Sequence, residues 1–249
     1  MNSVLLRVEL RRSMRNRRTL VFTAVLPAMF FLIFSAANPT GTLDGVSVAP
    51  YLMVSMATYG AMNALFTGGG LIAAERAIGW PRQLRVAGLR GRDYVLTKII
   101  IAYLTALPGL VIVFVLGATN HHVRMASGRW LLLGASVLLA LMPVAALGVA
   151  IGYLVRAQSL QALTGIGSAM LALLGGIWVP AEQFPRLLFD TAKLLPTYWA
   201  AEAGRAVLRH SWIGWEGVAV VAIWTLVLGV VAARGYQRDA LRPAAAGAT

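Results

Sequence analysis

Few residues in this chain could carry out chemistry, and they lie between long apolar stretches. No Cys is present, which excludes disulfides, thiolate metal sites and a Cys nucleophile. His121 and His122 are adjacent with no carboxylate in the same loop, and His210 stands alone, so no metal site is predicted. The hydroxyl residues show no recognisable arrangement with a His and an Asp. The sequence therefore predicts a protein that is not an enzyme.

An ATP-binding site is not predicted in this chain either. Its two lysines are Lys98 and Lys193, and neither ends a G-x-x-x-x-G-K-[ST] phosphate-binding loop. Ion-coupled carriers need ionisable side chains at membrane depth, and the long apolar stretches contain none. Uphill transport would therefore need energy from a partner protein, and no cofactor is expected in this chain.

The apolar stretches themselves predict the fold class. Each is free of Asp, Glu, Lys, Arg and His and has roughly the 17 to 25 residues that a helix needs to cross a bilayer. We therefore predict an all-α membrane protein with one transmembrane domain over residues 1–249. The six predicted transmembrane helices are residues 20–37, 50–74, 99–118, 131–155, 159–179 and 217–233.

Basic residues are distributed unequally between the two sides of this topology. One side carries 16 of the 22 Lys and Arg residues, and the other side carries 6. Short basic loops resist translocation, so the basic side is predicted to be cytoplasmic, with both termini inside. The formal charge of +13 then fits anionic inner-leaflet lipid or an acidic cytoplasmic partner better than nucleic acid.

Two cytoplasmic segments are predicted to be helical outside the spans. Residues 3–19 are rich in Arg and predict an interfacial helix, although they could be a basic flank that only orients the first span. In the loop 75–98, Pro81 suits a first helical position and Gly88 the position just past a helix end. A helix of about two turns is therefore expected over residues 81–87.

This short helix has a composition suited to docking. Gln83, Leu84 and Arg85 are expected to face the cytoplasm, where they could enter a groove of another protein. Asp93 is expected to be the N-cap of the helix that continues into the third span.

The predicted outer segment 180–216 is too rich in Leu and aromatic residues to remain in water. Pro185 and Pro196 are each placed to start a helical turn, which predicts two amphipathic helices over residues 185–195 and 197–209. We expect them to form a re-entrant hairpin in the outer leaflet. Aromatic residues in and around it would form an interfacial belt or only anchor helix ends: Trp178, Phe184, Tyr198, Trp199, Trp212 and Trp215.

Small residues and helix breakers suggest how the spans pack. Gly165, Ala169, Ala172 and Gly176 recur at spacings of 4, 3 and 4, which is typical of a close helix contact, either between subunits or within one. Three prolines and one glycine triplet are expected to kink or loosen the spans. These residues are Pro27, Pro108 and Pro143, together with Gly68, Gly69 and Gly70.

Two local motifs stand out in the sequence. The first motif consists of Glu75, Arg76, Gly79, Leu84, Arg85, Leu89 and Lys98. The second consists of Gly175, Gly176, Pro180, Phe184, Pro185, Leu195, Pro196, Tyr198 and Arg205. Both resemble motifs of a known family, the membrane permease subunits of type-two ATP-binding-cassette transporters, which include drug-resistance and polysaccharide or lipid exporters. The chain departs from the family pattern at Trp80, Pro81 and Gly88.

The resemblance implies a homodimer or heterodimer of permeases, each bound through the loop 75–98 to a cytoplasmic ATPase that holds ATP and Mg. The second motif would form a re-entrant gate, and substrate would pass between the two halves. We expect an exporter of hydrophobic or amphipathic molecules, such as drugs or lipids. The alternative is a membrane sensor or assembly factor without transport. The ratio of 20 Arg to 2 Lys suggests a bacterial inner membrane.

Overall fold

Helices account for nearly all of the structure. The computed structural model describes residues 3–14, 21–37, 41–86, 88 and 90–241. The one described sheet is a small antiparallel hairpin of β1 (Thr42–Leu43) and β2 (Val46–Ser47). Asp44 and Gly45 both have positive φ, at 50° and 72°. Two such residues form the tight turn whose twist matches a hairpin. The all-α prediction is confirmed.

The N-terminal part consists of α1 (Ser3–Met14), a π-helical turn (Val21–Val25) and α2 (Leu26–Ala37). Residues 15–19 of the predicted interfacial helix lie outside the described part. Pro27 has no amide hydrogen to donate to the Thr23 carbonyl, which accounts for the irregular turn before α2. A Cβ built on the nearby Gly109 would stand 1.9 Å from that carbonyl oxygen, so the freed group packs directly against α5.

The central element is α3 (Val48–Ala77), whose 30 residues span about 45 Å. Every residue from 51 to 62 is buried, because α3 is surrounded by α2, α5, α7, α8 and α10. This central position explains why α3 is apolar on all sides, because a helix that is buried on every face needs no polar stripe.

The glycine triplet allows close packing in α3 and does not loosen it, so that expectation is wrong. The helix is unbroken from Val48 to Ala77. A Cβ on Gly69 would stand 2.0 Å from the carbonyl oxygen of Gly148, and one on Gly68 would stand 2.8 Å from the Ala102 Cβ. The glycines let the backbones of α5 and α7 approach α3 more closely than any side chain would permit.

The next two helices are α4 (Trp80–Val86) and α5 (Gly91–Asn120). The predicted short helix is therefore present, one residue earlier than expected. Asp93 is not the N-cap of α5, because the helix begins at Gly91 with Arg90 as the capping residue. Asp93 lies in the first turn instead, where the positive end of the helix dipole still stabilises a carboxylate.

The predicted fourth span is two helices, α6 (Ser127–Ala140) and α7 (Met142–Leu154), which meet at an angle of 40°. Pro143 lies at the break, as expected for a residue that cannot continue the helical hydrogen bonds. The fifth span is represented by α8 (Ala157–Leu174), which ends five residues before the predicted boundary.

The last helices are α9 (Arg186–Lys193), α10 (Pro196–Leu208) and α11 (Gly214–Leu241). The two helices of the predicted hairpin are thus present, but α10 is not a surface amphipathic helix. All residues from 196 to 207 are buried, because α10 inserts between α3, α6 and α11. The Leu and aromatic residues of this segment predict a place in the outer leaflet, but α10 packs among other helices of the chain, which also cover its charged residues Glu202 and Arg205.

The aromatic residues predicted to form an interfacial belt differ in their exposure. Trp212 and Trp215 are exposed, whereas Tyr198 and Trp199 are buried. Trp199 Nε1 donates to the Lys193 carbonyl at 2.7 Å, so this indole caps the end of α9. Only part of the aromatic set is therefore available to a membrane interface.

Two described helices are long and apolar enough to cross a membrane, Asp93–Asn120 and Gly214–Asp239. The bent pair α6 and α7 adds a third if it counts as one span. Thr23–Ala37 and Leu163–Leu174 are apolar but shorter. The structure thus supports a membrane protein, and the full set of six spans stays a prediction.

Candidate functional site

The α4 helix and its flanking turns form the most exposed part of the first motif. Gly79 and Gly88 have φ values of +74° and +85°, a conformation that glycine adopts without strain. The chain can therefore turn sharply on both sides of α4, at Gly79 before it and at Gly88 after it. Gln83 is exposed and Leu84 is half-buried. Val86 is 91% exposed, which is unusual for an apolar side chain with nothing to cover it. Leu89 and the Arg85 side chain lie outside the described part.

Glu75 does not share this exposure, although it belongs to the same motif. Its carboxylate is buried and accepts hydrogen bonds from Lys98 Nζ at 2.6 Å and from the Tyr94 hydroxyl at 2.7 Å. Lys98 Nζ also pairs with Glu9 at 2.9 Å. Arg12 adds a weaker contact to Glu75 at 3.3 Å. We call these five residues the ionic cluster, and it joins α1, α3 and α5.

The charges of the ionic cluster balance. Glu9, Glu75 and Lys98 are buried and carry a net charge of −1, and Arg12, whose side chain is 61% exposed, supplies the second positive charge from the surface. Burying such groups is costly unless each is paired, and removing one partner of a buried pair typically costs about 3 to 5 kcal/mol. The ionic cluster therefore fixes the position of α1 against α3 and α5 strongly.

Arg76, the next residue, links α3 to a different pair of helices. Its Nη1 donates to the Gly152 carbonyl of α7 at 2.8 Å, and its Nη2 pairs with Asp239 of α11 at 2.7 Å. The guanidinium also lies 5.2 Å from the centre of the Tyr153 ring. Adjacent residues on a helix point in different directions, so Glu75 and Arg76 together connect the base of α4 to most of the bundle.

The sequence-predicted coupling residues thus occupy two environments. Glu75 and Arg76 are held inside the chain and are not on the docking surface, whereas Gly79, Gln83 and part of Leu84 are accessible. Sequence reasoning missed the partners Glu9, Tyr94 and Asp239. A signal was available, since Glu9 and Asp239 are isolated acids in strongly basic segments.

The second motif builds the turn between α8 and α9. Gly176 has a φ of +68°, its N–H donates to the Leu173 carbonyl at 3.2 Å, and the N–H of Ile177 donates to the Ala172 carbonyl at 2.9 Å. This pair of bonds is the Schellman arrangement that ends helices at a glycine. A Cβ on Gly175 would stand 2.3 Å from Thr197 Oγ1, so Gly175 lets α10 approach this turn closely.

The remaining residues of the second motif shape the turns around α9. Pro180 precedes a 3₁₀ turn (Ala181–Gln183), Pro185 is the N-cap residue of α9, and Pro196 is the first residue of α10. Phe184 and Leu195 are half-buried. Tyr198 packs edge-on against Trp199, with ring centres 5.1 Å apart. These residues define a rigid connection, and their role as a gate stays a prediction.

Arg205 lies in the interior, where the apolar stretches were expected to leave no ionisable group. Its side chain is fully buried, and Nη2 donates to Ser55 Oγ at 2.8 Å and to the Gly176 carbonyl at 2.7 Å. The guanidinium carbon lies 3.9 Å from the centre of the Tyr51 ring. The expectation of an ion-free core is wrong here because the charge arrives from α10, outside the predicted spans.

A second ionic contact ties α10 to the hairpin turn. Arg209 pairs with both Glu202 and Asp44. Burial raises the pKa of Glu202 above its ordinary value, although Arg209 opposes this effect. The Glu202 carboxylate raises the pKa of Arg209 despite the opposing effect of burial. This contact holds the start of α3 against the end of α10.

The four small residues predicted as a dimer face differ in exposure, and one of them lies beyond the end of the helix. Gly165 is exposed with open space around it, whereas Ala172 is fully buried in this chain. Gly176 lies beyond the end of α8, in the Schellman turn. Ala169 lies between these extremes. The set therefore divides into an exposed part and a part used inside the subunit.

The sequence matches that of the ABC-2 type transporter family over residues 2–208, which includes both motifs. The chain belongs to this family. It is also similar to a protein of Bacillus subtilis (strain 168) named "Putative transport permease YvfS", with 22% identity over 220 residues, covering 88% of this chain and 90% of that protein. The family resemblance in the sequence is confirmed. The ABC-2 family assignment makes the chain a transmembrane, non-catalytic permease component, and it implies an ATP-binding partner.

Proposed function

We propose that this chain is the membrane-spanning permease subunit of an exporter that is driven by ATP hydrolysis in a separate cytoplasmic ATPase subunit. The observation that carries the proposal is an exposed, glycine-bounded helix mounted on a buried ionic cluster, in a member of the ABC-2 family. The ATPase would bind ATP and Mg, and two permease copies, identical or different, would assemble with it in a bacterial inner membrane.

Force applied to α4 has a direct route into the bundle. The α4 helix is separated by two residues from Ala77, the end of α3, and α3 is anchored through Glu75 to α1 and α5 and through Arg76 to α7 and α11. A buried charge pair resists local separation, because parting it exposes uncompensated charge. Movement of α4 is therefore passed to these helices together and is not absorbed in a flexible loop.

The surface of the bundle favours an apolar or amphipathic substrate. An open apolar cavity of about 700 Å³ lies between α6, α10 and α11, and Leu139, Val207 and Leu226 contribute to its walls. A second apolar groove of about 500 Å³ lies between α5 and α6. Such apolar walls match a hydrocarbon group in shape and polarity and offer few groups to a strongly polar solute.

The coupling role of α4 is tested by reconstituting the permease with its ATPase in proteoliposomes. The double variant Leu84→Asp/Arg85→Asp places two carboxylates on the docking helix and is expected to remove most of the substrate-stimulated ATP hydrolysis. The matched control is Arg124→Asp/Ala126→Asp, which makes the same change in charge on the exposed loop between α5 and α6.

The control variant is expected to keep the wild-type ATPase activity. Unchanged ATP turnover in the α4 variant, with normal assembly, would contradict the coupling role. Transport by the permease alone, driven by a pH or sodium gradient, would contradict the need for an ATPase.

A further inference from the structure

A basic cavity of about 590 Å³ opens at the end of the bundle that is predicted to be cytoplasmic. Its walls come from the end of α3, the turn between α7 and α8, and the last turns of α11. Three arginines line it, Arg76, Arg156 and Arg238, together with one carboxylate, Asp239. The cavity therefore has an excess of two positive charges.

The three arginines are not equivalent. Arg76 is fixed by its bonds to the Gly152 carbonyl and to Asp239, so its charge partly neutralises that carboxylate. Arg156 and Arg238 are exposed, and no ion pair involves either of them among the described residues. The guanidinium groups of Arg156 and Arg238 are thus available to a ligand, whereas that of Arg76 is already held in place.

The position of the cavity indicates the kind of anion that it would bind. Tyr153 and Leu154, at the end of α7, form an apolar wall directly beside Arg156, so the cavity lies where a hydrophobic helix meets its basic flank. The phosphate groups of inner-leaflet lipids lie at this level of a membrane. Guanidinium groups bind phosphate oxygens through two parallel hydrogen bonds.

We propose that this cavity binds the phosphoryl group of an anionic phospholipid headgroup of the inner leaflet through Arg156 and Arg238. The same guanidinium chemistry would bind a soluble phosphate, so the test includes both sources. The proposal is independent of ATP-driven transport, and its test needs no ATPase.

The experiment uses the purified full-length chain in nanodiscs. Retention of phosphatidylglycerol and of phosphatidylcholine is measured by native mass spectrometry, and inorganic phosphate is titrated calorimetrically in a zwitterionic detergent. The test variant is Arg156→Gln/Arg238→Gln. The matched control is Arg90→Gln/Arg234→Gln, which removes two exposed arginines of the same predicted side that do not line the cavity.

The wild-type chain and the control are expected to retain phosphatidylglycerol selectively. The test variant is expected to bind it at least about tenfold more weakly, because losing even one charge-assisted hydrogen bond has about this effect and the variant removes two guanidinium groups. Saturable binding of inorganic phosphate that is lost only in the test variant would also support the site, with a soluble anion as its ligand.

Equal retention of both lipids, without heat from phosphate, would overturn the proposal and would favour an acidic side chain of a partner protein as the occupant. An equal loss of phosphatidylglycerol in the test and control variants would also overturn it, because general surface charge would then explain the binding.

Discussion

The central helix α3 contacts a buried cation at each of two points about 30 Å apart, and the two cations are accommodated in different ways. Near its C-terminal end, Lys98 lies between the carboxylates of Glu9 and Glu75. Near its N-terminal end, Arg205 bonds to a hydroxyl and a carbonyl and stacks on Tyr51. The compact ammonium group of Lys is neutralised by charge, whereas the planar guanidinium is held by neutral dipoles and a ring face.

The two buried cations also differ in the elements that they connect. The ionic cluster connects α1 and α5 to the helix that carries α4, so it lies on the proposed path of force. The Arg205 contacts join α3, α10 and the turn after α8 near the N-terminal end of α3, far from α4. We therefore expect changes in the ionic cluster to affect coupling and stability, and changes around Arg205 to affect mainly stability.

The largest effect is expected from Lys98→Met, which leaves two carboxylates buried without their cation. The free energy of unfolding should fall by about 3 to 5 kcal/mol, as is typical when one partner of a buried pair is removed. Chemical unfolding in detergent micelles measures the loss. Adding Glu75→Gln should recover part of it, and a double variant that loses the full sum of the single effects would show that the two residues do not interact.

A smaller loss is expected from Gly69→Ala in the C-terminal half of α3. The new Cβ would meet the backbone of Gly148, which cannot rotate away, so overpacking should cost about 1 to 3 kcal/mol. Gly175→Ala, just past the end of α8, meets Thr197 Oγ1, which can rotate. Its closest backbone contact is the Leu171 carbonyl oxygen at 2.7 Å, longer than the 2.0 Å at Gly69, so its cost should be lower. Gly165→Ala is the control, because nothing lies near it and helix propensity alone should favour Ala. Thermal unfolding that ranks the three variants differently would contradict the packing account.

Arg205→Lys tests how the cation near the N-terminal end of α3 is stabilised. A lysine keeps the charge but loses the planar stack on Tyr51 and one of the two hydrogen bonds, which should cost about 1 to 2 kcal/mol. ATPase stimulation should remain, measured in proteoliposomes that retain folded protein. Loss of stimulation without loss of stability would mean that this region also transmits force.

The smallest effect concerns the pH dependence of stability at Glu202. Its pKa is raised by burial, so between its ordinary 4.5 and the raised value the folded chain binds more protons than the unfolded chain. Stability should therefore fall as pH rises through this window. Glu202→Gln should flatten the slope in melting curves recorded from pH 4 to 7, whereas Glu216→Gln, on the exposed start of α11, should not. A slope that is unchanged in Glu202→Gln would assign the pH dependence to other groups.

The sequence alone determined the features that depend on local chemistry. Apolar composition was enough for an all-helical membrane protein, because a backbone in hydrocarbon must satisfy its own hydrogen bonds. Pro81 and Gly88 bounded α4 to within one residue, and Pro143 located the break between α6 and α7. The family was recognised from the resemblance of two short motifs to the family pattern, and the family match over residues 2–208 includes both.

Only the tertiary structure decided which distant residues meet. No local pattern indicates that Glu75 faces Lys98 and Glu9, that Gly69 lies against Gly148, or that Arg205 enters the core between Ser55 and Gly176. A hydropathy window treats each segment as if it faced lipid or water. The partners of a side chain depend on which helices pack together, and the packing of helices is determined by the whole chain.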